Sequence, residues 1–295
     1  MQAIILAAGL GTRLRPYTLI RPKPLFPILN RPLLHRLLDM LYNSGCTRIV
    51  VNAHYLAEQI RYSLVEYPDV MLQVELEILG TGGSLRLAGE SLEDAPILVI
   101  NGDIVHTIDV AALYDYHVRS GNEVTLAMHD YIHFNTVAVE GDRVVSFAPG
   151  QDVRQLAFTG LHVVNPEIVA CIPGPGFFHI IDLYQQLALQ GRIGLLRVDG
   201  AFWRDIGTPE DYLQLHRELL EIQTRLDIDP VGQKKDGWLV GEGVDLEKGV
   251  RLQNWGCLGR GVRVGNSTTL SRCVVWDQAE IPAGSRIVNA IVTGA

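Results

Sequence analysis

The sequence predicts an α/β fold: a mainly parallel sheet wound with helices, an antiparallel lobe covering it, and a short left-handed parallel β-helix at the end. Three observations predict it. Apolar strand-like runs alternate with helix-spaced segments from Met1 to about Met128. The pattern then changes to short strands with little helix between Asn135 and Val164. From Val240 onward, aliphatic residues recur every six positions. Strands alternating with helices call for a parallel sheet, and a fixed short period calls for stacked repeats.

Ala3-Ile-Ile-Leu-Ala7 reads as a buried strand, ending in a turn that carries Gly9 and Gly11. Leu33, Leu34, Leu37, Leu38 and Leu41 have helical spacing within Pro32 to Ser44, and Gly45 stops that helix. Thr47–Val51 is a strand, Tyr55–Tyr67 an amphipathic helix ending before Pro68, and Val70–Val74 a strand. Gly80-Thr-Gly-Gly83 reads as a second glycine turn, with a helix starting at Ser84. Pro96–Asn101 is a buried strand leading into Gly102-Asp103; Asp109 is placed to cap a helix over Val110–Arg119. Glu123–Met128 closes the alternation. Thr136–Val139, Arg143–Phe147 and Gln155–Val164 are the strands of the antiparallel lobe. A helix at Ile180–Gln190 and a strand at Leu195–Val198 follow. Pro209 suits a first helical turn with Thr208 as its cap, and that helix runs to about Leu226.

The tail carries two interleaved periods. Val240, Leu246, Leu252, Leu258, Val264 and Leu270 are six apart, as are Val244, Val250, Gly256, Val262, Thr268 and Val274. After Val274 the register slips by one and resumes at Val275, Ile281 and Ile287, with Ala279, Ser285 and Ile291 as partners. Nine such units resemble about three turns of a left-handed β-helix. The division expected is 1–227 for the α/β domain, 228–237 for a polar linker and 238–295 for the coil.

A net charge of −8 argues against nucleic acid or a membrane surface as partner. No apolar stretch is long enough to span a bilayer. Four cysteines without Cys-x-x-Cys spacing read as reduced thiols of a cytoplasmic protein. The nine histidines show no metal-ligand spacing and read as surface or packing residues, with His106 and His133 as possible cleft linings.

The opening stretch runs against the overall charge. Arg13, Arg15, Arg21, Lys23, Arg31 and Arg36 all precede the first acidic residue, Asp39. A glycine loop beside concentrated positive charge suits a polyphosphate, because glycines let backbone N–H groups approach it. Position 14 is Leu, so the third glycine of a dinucleotide fingerprint is missing, and no Walker lysine motif is present. Lys23 is the first lysine of the chain, and the next is Lys234.

Leu6-Ala-Ala-Gly-Leu-Gly-Thr-Arg13 followed by Pro22-Lys-Pro-Leu25 resembles the signature of the sugar-1-phosphate nucleotidyltransferases. Glu75-x-Glu77-x-Leu-Gly-Thr-Gly-Gly83, Val99-Ile-Asn-Gly-Asp103 and Trp203-x-Asp205-Ile-Gly-Thr-Pro-Glu-Asp-Tyr212 resemble the family's later motifs, in its order. The resemblance covers Met1 to about Leu226 and implies a Rossmann-like mixed sheet of the nucleotide-diphospho-sugar transferase type. It implies that a sugar 1-phosphate attacks the α-phosphorus of a nucleoside triphosphate and pyrophosphate leaves. The attacking oxygen is already an anion, so alignment and charge neutralisation are the main tasks.

Carried over residue by residue, Leu6, Ala8, Gly9, Leu10, Gly11 and Thr12 would cradle the nucleotide. Arg13 would hold the leaving pyrophosphate, and Lys23 would sit near the α-phosphate. Asp103 and Asp205 would hold Mg²⁺, which is content with one or two carboxylates plus phosphate and water. Glu75, Leu79, Gly80 and Gly83 would border the base; Asn101, Thr159 and Gly160 would border the sugar. Two departures stand out. Ile78 replaces a proline usual before the Leu-Gly, and the lobe lacks the family's Glu-Lys-Pro lysine, having Val144-Val-Ser-Phe-Ala-Pro-Gly150 instead. Arg143, Arg154 and Arg204, or the metal, are the candidate replacements. Mannose 1-phosphate with GTP is the first substrate pair expected. UTP with an amino-sugar or muramic-acid 1-phosphate, and a heptose 1-phosphate with GTP, are the alternatives. A non-catalytic nucleotide-sugar-binding subunit is the alternative of another class, disfavoured by the intact Arg13, Lys23, Asp103 and Asp205. The tail, with no histidine after His216 to serve an acyltransferase, is expected to mediate homo-oligomer assembly.

Overall fold

The computed structural model describes residues 1–148, 153–221 and 230–294. Packing divides the chain into two units. Met1–Leu10 and Leu37–Trp203 form the first; Gly11–Arg36 and Arg204–Ala295 form the second.

The first unit is built on a nine-stranded mixed sheet. Ala3, Ile4 and Ile5 are fully buried in the strand Gln2–Leu6, which pairs in parallel with both Arg48–Ala53 and Ile97–Asn101. A strand covered on both faces needs no polar alternation, which is why this one is a continuous apolar run. Across the sheet the order is Val70–Val74, Arg48–Ala53, Gln2–Leu6, Ile97–Asn101, Gln155–Val164, Val124–His129, Ile193–Arg197, Arg143–Ser146 and Val137–Glu140. The expected covering lobe is therefore corrected. Gln155–Val164 lies within the sheet, antiparallel to Ile97–Asn101 on one side and to Val124–His129 on the other. Leu161 to Val164 are all buried, so this strand has the burial of a central strand. The short strands Arg143–Ser146 and Val137–Glu140 continue the sheet beyond Ile193–Arg197, and Val137–Glu140 pairs antiparallel with the start of Gln155–Val164 as well.

The helices are α1 (Leu33–Asn43), α2 (Ala57–Ser63), α3 (Gly80–Gly89), α4 (Val110–Ser120), α5 (Pro166–Ala170), α6 (Ile180–Leu189) and α7 (Pro209–Glu221). Asp109 caps α4 as expected, its side chain accepting from the Ala112 N–H at 2.9 Å. Helix α3 starts at Gly80 instead of Ser84. The Gly82 and Gly83 N–H groups donate to the Phe178 carbonyl at 2.9 and 3.3 Å, and the Ser84 hydroxyl donates back to the Gly80 carbonyl at 2.7 Å. A Cβ on Gly82 would lie 2.7 Å from the Phe178 ring, and one on Gly83 2.5 Å from the Gly176 carbonyl. The glycines admit the passing 176–178 backbone rather than forming a turn.

In the second unit, Gly11–Arg36 forms three short 3₁₀ turns (Thr12–Leu14, Tyr17–Leu19, Lys23–Leu25) and a small hairpin, Pro27–Ile28 against Arg31–Pro32. Thr208 and Asp211 cap α7 reciprocally: the Asp211 carboxylate accepts from the Thr208 N–H, and the Thr208 hydroxyl accepts from the Asp211 N–H. The expected extension of α7 to Leu226 and the 227/228 boundary lie outside the described residues. The later part of the expected linker, Gln233–Lys235, is a strand antiparallel to Trp238–Val240.

The tail coils into stacked parallel ladders. Trp238–Val240 pairs with Gly256–Leu258, Asp245–Leu246 with Arg263–Val264, and Arg251–Gln253 with Thr269–Ser271, each 18 residues on. Left-handed backbone residues stack in three columns: Gly243, Gly261, Gln278; Gly249, Ser267, Gly284; and Asn254, Arg272, Asn289. These are the corners of a three-sided coil. The six-residue positions Leu258, Val264, Leu270, Val275 and Ile281 form its core. The register slip is relocated by the structure. Gly256 pairs with Cys273, 17 residues on, after a bulge beyond Gln253. The slip thus falls before Cys273, two residues earlier than expected after Val274, opposite the longer stretch Gln253–Gly256 that carries the buried Trp255.

Candidate active site

Each unit carries its own share of the residues singled out above. In the first unit, the chain leaves the strand Gln2–Leu6 through Ala7, Ala8, Gly9 and Leu10. The Ala7 N–H donates to Asn52 Oδ1, and Asn52 Nδ2 donates to Glu75 Oε1 at 2.8 Å. Glu75 Oε2 accepts from the Leu79 N–H at 3.3 Å, and Gln73 Nε2 donates to Glu75 Oε1 at 3.2 Å. Asn52 and Glu75 are buried. One side-chain chain of hydrogen bonds thus ties the start of the glycine loop to the segment that opens α3. Glu75 spends its carboxylate on this support. Asn52 is absent from the sequence-derived site; an Asn closing an apolar strand gives no signal of a cross-link 45 residues away.

The two glycines of the loop differ. A Cβ on Gly9 would meet nothing within 4 Å. Gly11, at the start of the second unit, has φ +58°, and a Cβ there would lie 2.8 Å from Thr18 Cγ2. The fold requires glycine at 11 and leaves position 9 facing open space.

Asn101, Thr159 and Gly160 come together. The strand Gln155–Val164 bulges between Phe158 and His162 against Val124–His129. Within that bulge the Thr159 hydroxyl donates to the Ala127 carbonyl at 2.8 Å, and the Thr159 carbonyl accepts from Trp203 Nε1 at 2.8 Å. Gly160 has φ +80°, and a Cβ on it would lie 2.6 Å from Asn101 Nδ2. Bulges re-aim backbone at functional edges; here the bulge brings Gly160 against Asn101, the last residue of its strand. Gly102 packs under the Leu6 carbonyl, donating its N–H at 2.8 Å, and Asp103 follows in the turn before Ile104–His106.

In the second unit, Arg13, Lys23 and Asp205 converge. Lys23 Nζ lies 3.3 Å from Asp205 Oδ1, and Arg13 Nη2 lies 3.7 Å from Asp205 Oδ2. The Lys23 side chain is 10% exposed, that of Arg13 68%. One cation is therefore embedded and the other reaches outward. A Cβ on Gly207 would sit 3.0 Å from both Arg13 terminal nitrogens and from Asp205 Oδ2. Gly207, to which the sequence reading gave no role, is the floor over which Arg13 lies.

The candidate arginine replacements for the missing lysine are engaged elsewhere. Arg204 Nε donates to Glu218 Oε2 at 2.8 Å, Arg143 Nη1 to Asn122 Oδ1 at 2.8 Å, and Arg154 Nη2 to Asp130 Oδ2 at 3.4 Å. His106 is buried rather than lining a cleft. Its Nδ1 accepts from the Ile108 N–H, and burial pushes its pKa down to about 4. Among the described residues, no group of three or more His, Cys, Asp or Glu could hold a metal ion, and no helix is long and apolar enough to cross a membrane.

Comparison with known proteins places the chain in a family. The chain is 29% identical to a mannose-1-phosphate guanylyltransferase of Mycobacterium tuberculosis, over 96% of this chain and 82% of that protein. It is 30% identical to a D-glycero-alpha-D-manno-heptose 1-phosphate guanylyltransferase of Aneurinibacillus thermoaerophilus, over 74% of this chain and 98% of that one. The crystal structure of HddC from Yersinia pseudotuberculosis complexed with GMP-PN superposes with a TM-score of 0.62 at 26% identity, covering 74% of this chain and 99% of that chain. The model of the nucleotidyl transferase family matches residues 2–222. That span contains every residue placed above, and the chain belongs to the nucleotidyl transferase family.

Proposed function

We propose that the protein transfers a nucleotidyl group from a nucleoside triphosphate to a sugar 1-phosphate, releasing pyrophosphate, with GTP and mannose 1-phosphate as its substrates. The observation that carries this reading is the convergence of Arg13 and Lys23 on Asp205. Two cations held by one carboxylate are poised to neutralise phosphate charge with little reorganisation. Exposed Arg13 takes the β- and γ-phosphates as pyrophosphate departs, and embedded Lys23 takes the α-phosphate. Open space in front of Gly9 lets backbone N–H groups approach the triphosphate. The start of α3, Leu79 and Gly80 with Gly83, borders the base, supported from behind by Glu75. Asn101 and the bulge at Thr159–Gly160 border the sugar. The incoming phosphate is already anionic, so no side chain need take a proton from it. Arg204, paired with Glu218, contributes less positive charge at the sugar phosphate than its sequence position suggests.

The carboxylates Asp103 and Asp205 are hard oxygen donors of the kind Mg²⁺ prefers, and they would hold that ion. When bound it supplies Lewis-acid neutralisation of the phosphate oxygens. The similarity to a heptose 1-phosphate guanylyltransferase supports a second reading, with a heptose 1-phosphate as acceptor. A screen of GTP, UTP, ATP and dTTP against mannose, heptose, glucosamine and muramic-acid 1-phosphates, read by pyrophosphate release, tests both. Turnover confined to GTP with mannose 1-phosphate supports the first. No turnover with any pair refutes catalysis and leaves a nucleotide-sugar-binding subunit.

We further propose that the tail is a left-handed parallel β-helix, that the division 1–227, 228–237 and 238–295 describes the functional domains, and that the enzyme is cytoplasmic. Among the described residues one end of the tail's sheet is closed by Gln233–Lys235, and the other ends at Arg286–Val292. Self-association through that second end is the oligomer contact we propose. Sedimentation of Val288→Lys at unchanged oligomer size would refute it.

A further inference from the structure

The arm Gly11–Arg36 carries both cations, and within its unit it is packed against α7 and the coil. Trp276 of the coil is the centre of that packing. Its ring lies 4.9 Å from the Phe26 ring, edge to face, and 6.3 Å from the Tyr17 ring. The Arg21 guanidinium carbon lies 4.5 Å from the Trp276 ring centroid, a cation–π contact. Trp276 Nε1 donates to Tyr212 Oη at 3.2 Å, and Tyr212 Oη in turn donates to the Pro27 carbonyl. Trp276, Tyr212 and Phe26 are all essentially inaccessible to solvent. The coil grips the arm a second time where Asn30 Nδ2 donates to the Leu258 carbonyl at 2.9 Å.

These contacts bracket Lys23. Arg21 is two residues before it and Phe26 three residues after it, and both touch the same indole. Tyr17 holds the turn next to the one carrying Arg13. The family model ends at residue 222, so Trp276 lies outside the stretch that the model matches. The coil is thus built into the support of the phosphate-handling arm.

We propose that Trp276 is a positioning residue for Lys23 and Arg13: the coil, through this indole, sets where the two cations stand. The inference rests on the nucleotidyl-transfer reading, because it assigns those cations to the triphosphate. Displacing an aligned group by an ångström can lower a rate about a hundredfold, so the effect expected is large for one indole.

The test is a double-mutant cycle on nucleotide binding, measured by calorimetry with GTP, UTP, guanosine and uridine in the absence of sugar phosphate. Trp276→Leu is expected to weaken binding of the preferred triphosphate on the order of 10- to 100-fold while changing the affinity of the matching nucleoside less than about threefold, since the nucleoside lacks all three phosphates that Lys23 and Arg13 are assigned to hold. In a Lys23→Met background the same change should add less than about threefold, because residues that act as a unit are not additive. Trp276→Phe should restore most of the affinity. If Trp276→Leu fails to fold, as judged by circular dichroism, Arg21→Met, which removes the contact with the indole, carries the cycle. Equal weakening of nucleoside and triphosphate, or full additivity with Lys23→Met, overturns the proposal. Wild-type protein that binds neither triphosphate overturns the nucleotidyl-transfer reading, and this inference falls with it. Normal wild-type binding with an unaffected Trp276→Leu overturns this inference alone.

Discussion

Asn52 offers the sharpest test of how the first unit supports its share of the site. Its amide accepts from the Ala7 N–H and donates to the Glu75 carboxylate at 2.8 Å, and it is 1% exposed. Asn52→Ala strands a buried backbone donor and removes one donor from a buried carboxylate. An orphaned neutral group costs about 1–3 kcal/mol and a charged one more. Glu75 keeps Gln73 and Leu79 as donors, so the total expected is about 3–4 kcal/mol, a large part of a domain's 5–15 kcal/mol. Asn52→Asp preserves the acceptor for Ala7 but sets two carboxylates side by side, so that one must hold a proton. The folded pKa of that pair is raised. Its folded state then binds more protons than the unfolded chain above about pH 4, and stability falls as pH rises, by up to about 1.4 kcal/mol per pH unit. Urea unfolding of both variants at pH 5 and pH 8, beside kcat/KM, reads this out. An Asn52→Ala midpoint equal to wild type, or an Asn52→Asp deficit that does not grow with pH, would refute the bridging role.

Gly9→Ala is expected to leave the urea midpoint unchanged and weaken triphosphate binding at least tenfold, whereas Gly11→Ala, strained at φ +58° and against Thr18, should lose about 1–2 kcal/mol of stability. Gly207→Ala is expected to push the flexible Arg13 guanidinium off Asp205 and lower kcat/KM with little change in Tm; an unchanged kcat/KM would show that Arg13 acts from elsewhere. His106, His162 and His216 are buried, which pushes their pKa values down to about 4, 3 and 4. Each then favours the unfolded state as pH falls below about 6.5, where the unfolded chain takes up the proton. Stability should therefore drop between pH 6.5 and 4, and His216→Gln, which can still accept from the Leu29 N–H at 3.3 Å in the wild-type geometry, should shallow that slope in urea titrations.

What was legible in the sequence was what local physics determines. Ala3-Ile-Ile reads as a buried strand because a strand covered on both faces has no reason to alternate. The tail reads as stacked turns because its core positions, Leu258 to Ile281, repeat with the coil itself. The start of α3 was not legible. Gly80 to Gly83 look like a turn until the Phe178 carbonyl is seen accepting from their N–H groups, and that partner is about a hundred residues away. The place of Gln155–Val164 in the sheet was hidden for the same reason: its neighbours are set by long-range pairing. The slip in the coil was found and misplaced, because Cys273 and Val274 are both small enough for the inward position and only the Trp255 bulge decides between them. At the site, the motifs located Arg13, Lys23 and Asp205; the supports, Asn52 and Gly207, became visible only through contacts.

This contrast separates two kinds of residue that a motif presents as equals. Gly11, Gly82, Gly83 and Glu75 are demanded by the fold: each fills a left-handed turn, a close backbone passage or a buried hydrogen-bond network. Gly9 and Arg13 are not. Nothing in the protein crowds the first, and the second extends a largely exposed guanidinium over a glycine that admits it. A long side chain held outward costs about 2 kcal/mol of rotamer freedom and stabilises little through an exposed ion pair. Stability therefore gives no account of Arg13, whereas a triphosphate does. The same reasoning ranks the cations. Lys23, embedded and paired with Asp205, has both a structural and a chemical reason to be where it is. Arg13→Ala should then abolish turnover at wild-type stability, while Lys23→Ala should reduce both. Loss of stability with Arg13→Ala comparable to that of Lys23→Ala would undo the distinction.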